Sequence, residues 1–497
     1  MKFLPILLLI CSVLGCDSAA QPANQAESNV PRNDVETTVK PEPARIVQIG
    51  PEDHKADLFL HDDRLVEEKE GLVFKPAKVR KYEGNPVFTV DKPSERGRLN
   101  YTCVIQDREE GLFKMWYQMV ISQPGGNLSW CHYAVSKDGV HWEKPNVGLV
   151  EFEGSKNNNI LFEQLEGIRG TPSYWVMKDY SEPDPTKRYK MILQSWGFLG
   201  RSALIAYSPD GMRWTMPEYG NLPGPFDSQN SFEWDEQAGE YVGYFRSHRR
   251  GFRSISRATS PDAFHWSRPV TVHAPDEQDP PTWHLYVPGV FKYRAARNTY
   301  VMLVTGFDDT SHEMYPQLGL SRDGINWYRF REPFIAVGAE GRWDSGHTRA
   351  IGSATIIDGQ TALFYYGSTV RGHEDGGEKG IGITFMDQDA FAGWHAADEG
   401  TLLTRPLEAR RFHDRFYLIA DAEGGLIRVE LLNAAGEVLP GFSRQDCQII
   451  TGKGNHLPVH WNGEEHLESY LRSGPVRLKI YMKNATVYGF RCERPPR

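Results

Sequence analysis

Two acidic residues stand in parallel phrases: Asp227 leads Asp-Ser-Gln in FDSQN, and Asp344 leads Asp-Ser-Gly in RWDSG. A pair of carboxylates can donate a proton to a leaving oxygen while the second supplies or activates the nucleophile, which is what cleaving a glycosidic bond requires. The structural alternative is that both cap turn amides, a common task of Asp-Ser. Glu313, in FDDTSHEMYPQLG, is a third acid. Partial desolvation on its loop would suit it to proton donation, whereas full exposure would leave it inert. FRSHRRGFR gathers Arg246, His248, Arg249, Arg250 and Arg253 shortly after Asp227. Guanidinium forks bind carboxylate or sulfate in pairs of hydrogen bonds, so Arg246 and Arg250 are candidate contacts to an acidic sugar, or else ion-pair partners between structural units. His284 in TWHLYVPG, His347 in DSGHTR and His373 in RGHEDGG are further binding candidates, and Trp283, Tyr286 and Trp343 offer faces to a sugar ring. The histidines lack metal-ligand spacing, so neither a metal nor a cofactor is expected.

These groups need a frame, and a repeat supplies it. Ser-x-Asp-Gly-x-x-Trp recurs as SKDGVHW (Ser136 to Trp142), SPDGMRW (Ser208 to Trp214), SPDAFHW (Ser260 to Trp266) and SRDGINW (Ser321 to Trp327), with a decayed copy at FMDQDAFAGW. The copies lie roughly 50 to 70 residues apart, the length of a four-stranded blade with its loops. Ser and Asp accept hydrogen bonds from turn amides, Gly supplies a positive φ, and Trp begins the next strand with its ring inward. Extended runs such as FKMWYQMV, RYKMILQSW, EYVGYFRS and TYVMLVTGF precede the copies. Five units between about residues 85 and 400 therefore predict an all-β fold, a five-bladed β-propeller. From there to the end, RFYLIADA, GLIRVELL, CQIITG, PVRLKIYM and TVYGFRC alternate at the spacing of a β-sandwich.

Composition agrees with this frame and narrows the partners. Aromatic residues make up 12% of the 497, too many for a disordered chain, while 47 Gly and 32 Pro are too many for a helical bundle. The 56 Lys and Arg against 65 Asp and Glu leave a formal charge of −9, so nucleic acid is not an expected partner. Gly-rich phosphate loops, Gly-x-Ser-x-Gly and His-Glu-x-x-His are absent from the sequence. A carbohydrate is the partner these features favour.

The first residues read as a processing signal. MKFLPILLLICSVLGC has one Lys before an apolar run too short to span a bilayer, and ends in Gly15-Cys16. It resembles the lipobox of bacterial lipoproteins, which implies lipidation of Cys16 and a membrane partner through that anchor. Residues 17–45 are polar and lack aromatics, which makes them a flexible tether reaching roughly 30 Å. The expected division is thus 1–16 signal peptide, 17–45 tether, 46–400 propeller and 401–497 sandwich, placed in the cell envelope. Cys103 and Cys131 read as buried thiols; Cys447 and Cys492 form a candidate disulfide that sequence alone leaves open.

A five-bladed propeller followed by a sandwich resembles the glycoside hydrolases of families 32, 43 and 68. The repeated turns, KPNVGLVEFEGSKNNNILF, FDSQNSFEWDE and GGLIRVELLNAAGEVLPGFSRQDC carry the resemblance, over about residues 85–497. It implies carboxylates on the innermost strands of the first three blades. The sequence departs from that pattern at blade one, where GRLNYTCVIQD has Asn100 in place of an acid. Asp179 of blade two reads as part of a hairpin. The expectation is a glycoside hydrolase acting on oligosaccharides of an acidic or sulfated polysaccharide, with Asp227 and Asp344 catalytic. The missing acid keeps two alternatives open: a non-catalytic glycan-binding lipoprotein, and an oligosaccharide lyase or dehydratase with a His or Tyr base.

Overall fold

The computed structural model describes residues 46–49, 55–124, 126–163, 173–197, 200–215, 221–224, 226, 228–373, 376–409, 415–462 and 468–493. Five antiparallel sheets follow one another as blades. Blade one runs from Arg98–Asp107 through Leu112–Gln123 and Gly126–Ser136 to Ile160–Phe162, and blade two from Tyr174–Lys178 through Tyr189–Gly197 and Gly200–Ser208 to Asn221–Pro223. Blade three comprises Ser231–Asp235, Glu240–Arg249, Phe252–Ser260 and Val270–His273. In blade four, the interrupted inner strand Trp283–Val287 and Val290–Lys292 precedes Tyr300–Asp308, Met314–Ser321 and Trp327–Arg329. Blade five holds His347–Ile357, Gln360–Ser368 and Lys379–Asp387, and its outer strand, Arg80–Lys81, comes from upstream of blade one. Each inner strand packs on the next, and that of blade five packs on that of blade one, so the ring closes around an axial channel. The five-bladed propeller that the repeat predicted is present.

The repeated phrase folds as its chemistry dictates. In the first copy, the Ser136 hydroxyl accepts from the Gly139 amide at 2.9 Å, one Asp138 oxygen accepts from the amides of Val140 and His141 at 2.8 Å, and the Trp142 indole donates to the Gly139 carbonyl. Gly139, Gly211 and Gly324 have φ of +78°, +77° and +70°; in the third copy Ala263 takes that position at +66°. The decayed copy is rebuilt for another task. Asp389 is buried and accepts from the Tyr293 hydroxyl at 2.6 Å, Asn455 at 3.1 Å and Arg491 at 2.5 Å, tying the propeller to the C-terminal strands.

Blades are joined by a recurring clasp. An Asp at the end of one inner strand accepts from a Tyr that begins the second strand of the next blade: Asp107 from Tyr189, Asp179 from Tyr241 and Asp235 from Tyr300. A lysine completes each, with buried Lys178 on Asp107 at 2.8 Å, buried Lys190 on Asp179 at 3.2 Å, and half-buried Lys292 on Asp235. Pairing satisfies carboxylates that burial would otherwise penalise.

The remaining strands form one nine-stranded sheet, built on Ala392–Thr404, Arg415–Asn433, Ile450–Pro458 and Val476–Glu493. Four N-terminal strands within residues 47–76 pair into this sheet and not into a blade. A division of 46–400 from 401–497 therefore cuts across the strand pairing: residues 47–76 lie with the C-terminal strands, and residue 400 falls inside Ala392–Thr404. The cause is that short strands such as VEEKE carry no sign of their partner. One continuous core links Leu418, Ile480 and Phe490 of this sheet to Val301 and Leu318 of blade four and Leu363 of blade five. Cys103, Cys131, Cys447 and Cys492 are buried, and no disulfide joins Cys447 to Cys492. Among the described residues no helix is long and apolar enough to cross a membrane. Cys16 and the tether lie outside the described residues.

Candidate active site at the propeller mouth

Inner strands begin, and the second hairpin of every blade turns, at the same end of the channel. Side chains from four blades converge there. Tyr101 of blade one and Tyr286 of blade four meet hydroxyl to hydroxyl at 3.2 Å, each only 8% exposed. Below them the Gln229 amide donates to the carbonyls of Thr102 at 2.8 Å and Tyr174 at 2.6 Å, bridging three blades across the axis. The tyrosine pair and Gln229 thus form a floor.

Three guanidinium groups surround that floor. Arg246 lies 4.8 Å from the Tyr286 ring centre, and its backbone amide donates to the Asn230 side-chain oxygen at 3.0 Å. Arg253 lies 5.8 Å from the rings of both Tyr286 and Phe307. Arg349 stands 4.0 Å over Tyr366 and 5.2 Å from Tyr101, and donates to the Asn100 side-chain oxygen at 3.1 Å. Asn100 in turn donates to Gln118 at 2.9 Å. The amide that stands where an acid was looked for is therefore an orienting group for a cation.

Electrostatics follow from this arrangement. Burial raises the Tyr286 pKa, but the charge of Arg246, the hydrogen bond from Tyr101 and the charge of Arg349 outweigh it, leaving Tyr286 below the ordinary tyrosine value. Tyr101 moves the opposite way, upward, chiefly through burial and the neighbouring Tyr286. The three histidines are held neutral. Burial and the charge of Arg349 push His347 down to about 3, and burial with Arg349, Arg253 and Arg246 pushes His373 down to about 4; His284 is lowered by burial and Arg253.

His284, His347 and His373, from two blades, do gather here with Arg246. The His284 Nδ1 accepts from the Arg253 amide at 3.1 Å, which places its proton on Nε2, 3.7 Å from Asp309. The His347 Nδ1 lies 2.7 Å from the Val370 carbonyl, leaving Nε2 as an acceptor, and its ring stacks on Tyr366. His373 lies 5.1 Å from Tyr286 and 5.0 Å from Phe307. Arg250 is exposed at the tip of the blade-three hairpin with φ of +53°. Glu313 is exposed on the blade-four hairpin, its amide bonded to the Ser311 hydroxyl.

The two parallel acids fare differently from one another. Asp227 lies outside the described residues. Asp344 is buried, takes the Lys81 ammonium at 2.5 Å and accepts from the Tyr365 hydroxyl at 2.9 Å, so its carboxylate fastens the closing strand of blade five. Trp283 and Trp343 are buried; Trp343 stacks on Tyr365, and of the three aromatics named for sugar stacking only Tyr286 is at the mouth. Glu233 occupies the other end of the channel, in the wall of a cavity of about 500 Å³ with Trp175, Lys178 and Phe291, where burial pushes it up to about 7. Among the described residues no group of three His, Cys, Asp or Glu side chains is placed to hold a metal ion.

Sequence reasoning missed Arg349 and Tyr101. Arg349 follows His347 by two residues on one strand, so both point to one face, and that signal was available. Tyr101 was not readable, because the pairing register shifts between Leu99 and Thr102 and breaks the alternation.

No family model matches the chain. Over 150 residues it is 29% identical to the uncharacterized protein Rv1502 of Mycobacterium tuberculosis, a match taking in 27% of this chain and 45% of that protein. The uncharacterized protein MT1551 of another strain matches to the same extent, so the chain spans less than half the length of these curated relatives. Among solved structures it is similar to an N-acetylgalactosamine deacetylase from F. plautii in complex with blood group B trisaccharide, at 13% identity over 64% of this chain and 96% of that one, TM-score 0.44. It is also similar to a glycosyl hydrolase from Bacteroides ovatus, at 15% identity over 62% and 94%, TM-score 0.45. A protein of the GH130 family of mannoside phosphorylases aligns at 15% identity over 66% and 96%, TM-score 0.43. Each of these neighbours is an enzyme of glycan chemistry by its description.

Proposed function

We propose that this chain is a glycan-cleaving enzyme of the cell envelope whose substrate carries an acidic sugar, bound at the propeller mouth. The observation that carries the reading is the set of guanidinium groups of Arg246, Arg253 and Arg349, drawn from two blades around a tyrosine floor. Arginine matches carboxylate and sulfate bidentately and stays charged when buried. Neutral histidines add hydrogen-bonding capacity without adding charge: the Nε2–H of His284 donates to, and the Nε2 of His347 accepts from, sugar hydroxyls.

A cleft of about 540 Å³ adjoins the mouth between blades one and five, lined by Arg98, Trp343 and Lys379 among others. It offers room and positive charge for further acidic units, so an oligosaccharide is favoured over a monosaccharide. The signal run ending in Gly15-Cys16 and the polar stretch after it support a lipid anchor that holds the propeller outside the cytoplasm.

The test is turnover by the full chain of matched acidic and neutral oligosaccharides. Cleavage confined to acidic members is the expected result; cleavage of neutral members alone removes the reading, and binding without any product makes this a glycan-binding protein.

A further inference from the structure

Resting on that reading, we propose that Tyr286 is the base and Tyr101 the acid of a β-elimination that cleaves the glycan beside a uronate. The two hydroxyls sit 3.2 Å apart on one side of the mouth, so a bound ring meets both on the same face, as a syn elimination requires. Both are buried, at 8% exposure each, so the pair is shielded from bulk water. Arg246 lies 4.8 Å from the Tyr286 ring and Arg349 5.2 Å from the Tyr101 ring. The charge around Tyr286 comes from Arg246 and Arg253 of blade three and Arg349 of blade five, with Tyr101 and neutral His373 as its titratable neighbours.

The step balances without water or a redox partner. Ionised Tyr286 takes the proton from the carbon bearing the uronate carboxylate, and that C–H electron pair becomes the new C4–C5 double bond. The C4–O bond breaks with its electrons on oxygen, which takes the Tyr101 proton as it leaves. The proton now on Tyr286 passes to the Tyr101 oxygen across their hydrogen bond, and the pair is restored. Arginine charge at the carboxylate stabilises the enolate-like charge that builds up as the proton departs. The arginine charge that holds Tyr286 below the ordinary tyrosine value favours the ionised form the step needs.

The experiment incubates the full chain in oxygen-18 water with oligoglucuronate and oligomannuronate, whose C5 hydrogen and C4 oxygen lie on one ring face. Oligogalacturonate, in which they lie on opposite faces, is the control that gives no chromophore. The ultraviolet absorption of an unsaturated uronate and the product masses are followed. Expected are the chromophore, no oxygen-18 in either product, and a fall in kcat of about 10²–10⁴-fold in Tyr286→Phe and in Tyr101→Phe, with binding retained. An ultraviolet titration should show one tyrosine ionising below the ordinary value that disappears in Tyr286→Phe; no such tyrosine overturns the assignment. Oxygen-18 in the products without the chromophore means hydrolysis, which overturns elimination but leaves acidic-sugar binding standing. Binding of the panel without turnover does the same. Failure to bind any member overturns both.

Discussion

At the mouth, positive charge among the described residues comes from arginine and not from His347 or His373, because burial and neighbouring guanidinium groups keep both histidines neutral well below physiological pH. Binding of an acidic sugar should therefore vary little with pH between about 6 and 8, the range in which an ordinary histidine would titrate. Affinity measured by calorimetry across that range checks this; a drop of tenfold or more would mean a histidine charges on binding. Asp344 is expected to act in stability and not in chemistry. Its Lys81 partner is partly exposed, so Asp344→Asn should lower unfolding free energy in denaturant by about 1–3 kcal/mol, below the figure for a fully buried pair. A loss of kcat by 10²-fold or more with stability unchanged would return Asp344 to catalysis. The role of Asp344 was not legible in RWDSG because its partner is far away in sequence. Arg246, His284 and His373 were legible because each lies on a blade strand or hairpin whose end the repeat had fixed.

At the scale of the blade turn, one side chain organises several amides. The Asp210 carboxylate accepts from the amides of Met212 and Arg213 at 2.8 Å and from Ser208, so Asp210→Ala should destabilise by about 1–2 kcal/mol, as for the loss of a capping acid. Chemical denaturation measures it; no change would mean water replaces the acid. Ala263 holds the left-handed conformation that its three counterparts assign to glycine. Relief of that strain exceeds the added freedom of the unfolded chain, so Ala263→Gly should stabilise by up to about 1 kcal/mol. A lower stability would show that its buried methyl contributes more than the strain costs. The turns and strand order were readable from the repeat, since each depends on residues within a few positions. The pairing of residues 47–76 with the C-terminal strands was not, because it joins segments more than 300 residues apart.

Across the whole molecule, burial sets the response to acid. His132, His273, His347 and His373 are depressed, chiefly by burial, to about 4, 3, 3 and 4, from 6.5 when unfolded. The unfolded chain therefore binds more protons as pH falls below about 6.5, and stability declines through that window. Glu233, raised to about 7 from 4.5, acts oppositely, losing its contribution as pH rises through that range. Four groups outweigh one, so Tm should be lower at pH 5 than at pH 7.5; a flat or rising Tm would mean that these histidines are solvated. The net charge of −9 coexists with a cationic mouth, so salt should weaken acidic-sugar binding more than it affects the fold. The most direct test of that mouth compares one uronate oligosaccharide with its carboxyl-reduced counterpart, against wild type and Arg349→Gln. The account expects reduction to weaken wild-type binding by about 10–150-fold, roughly 1.5–3 kcal/mol for a charge-assisted contact, and the variant to lose most of that discrimination. Equal wild-type affinity for the two sugars, or an identical loss in both proteins, would contradict it.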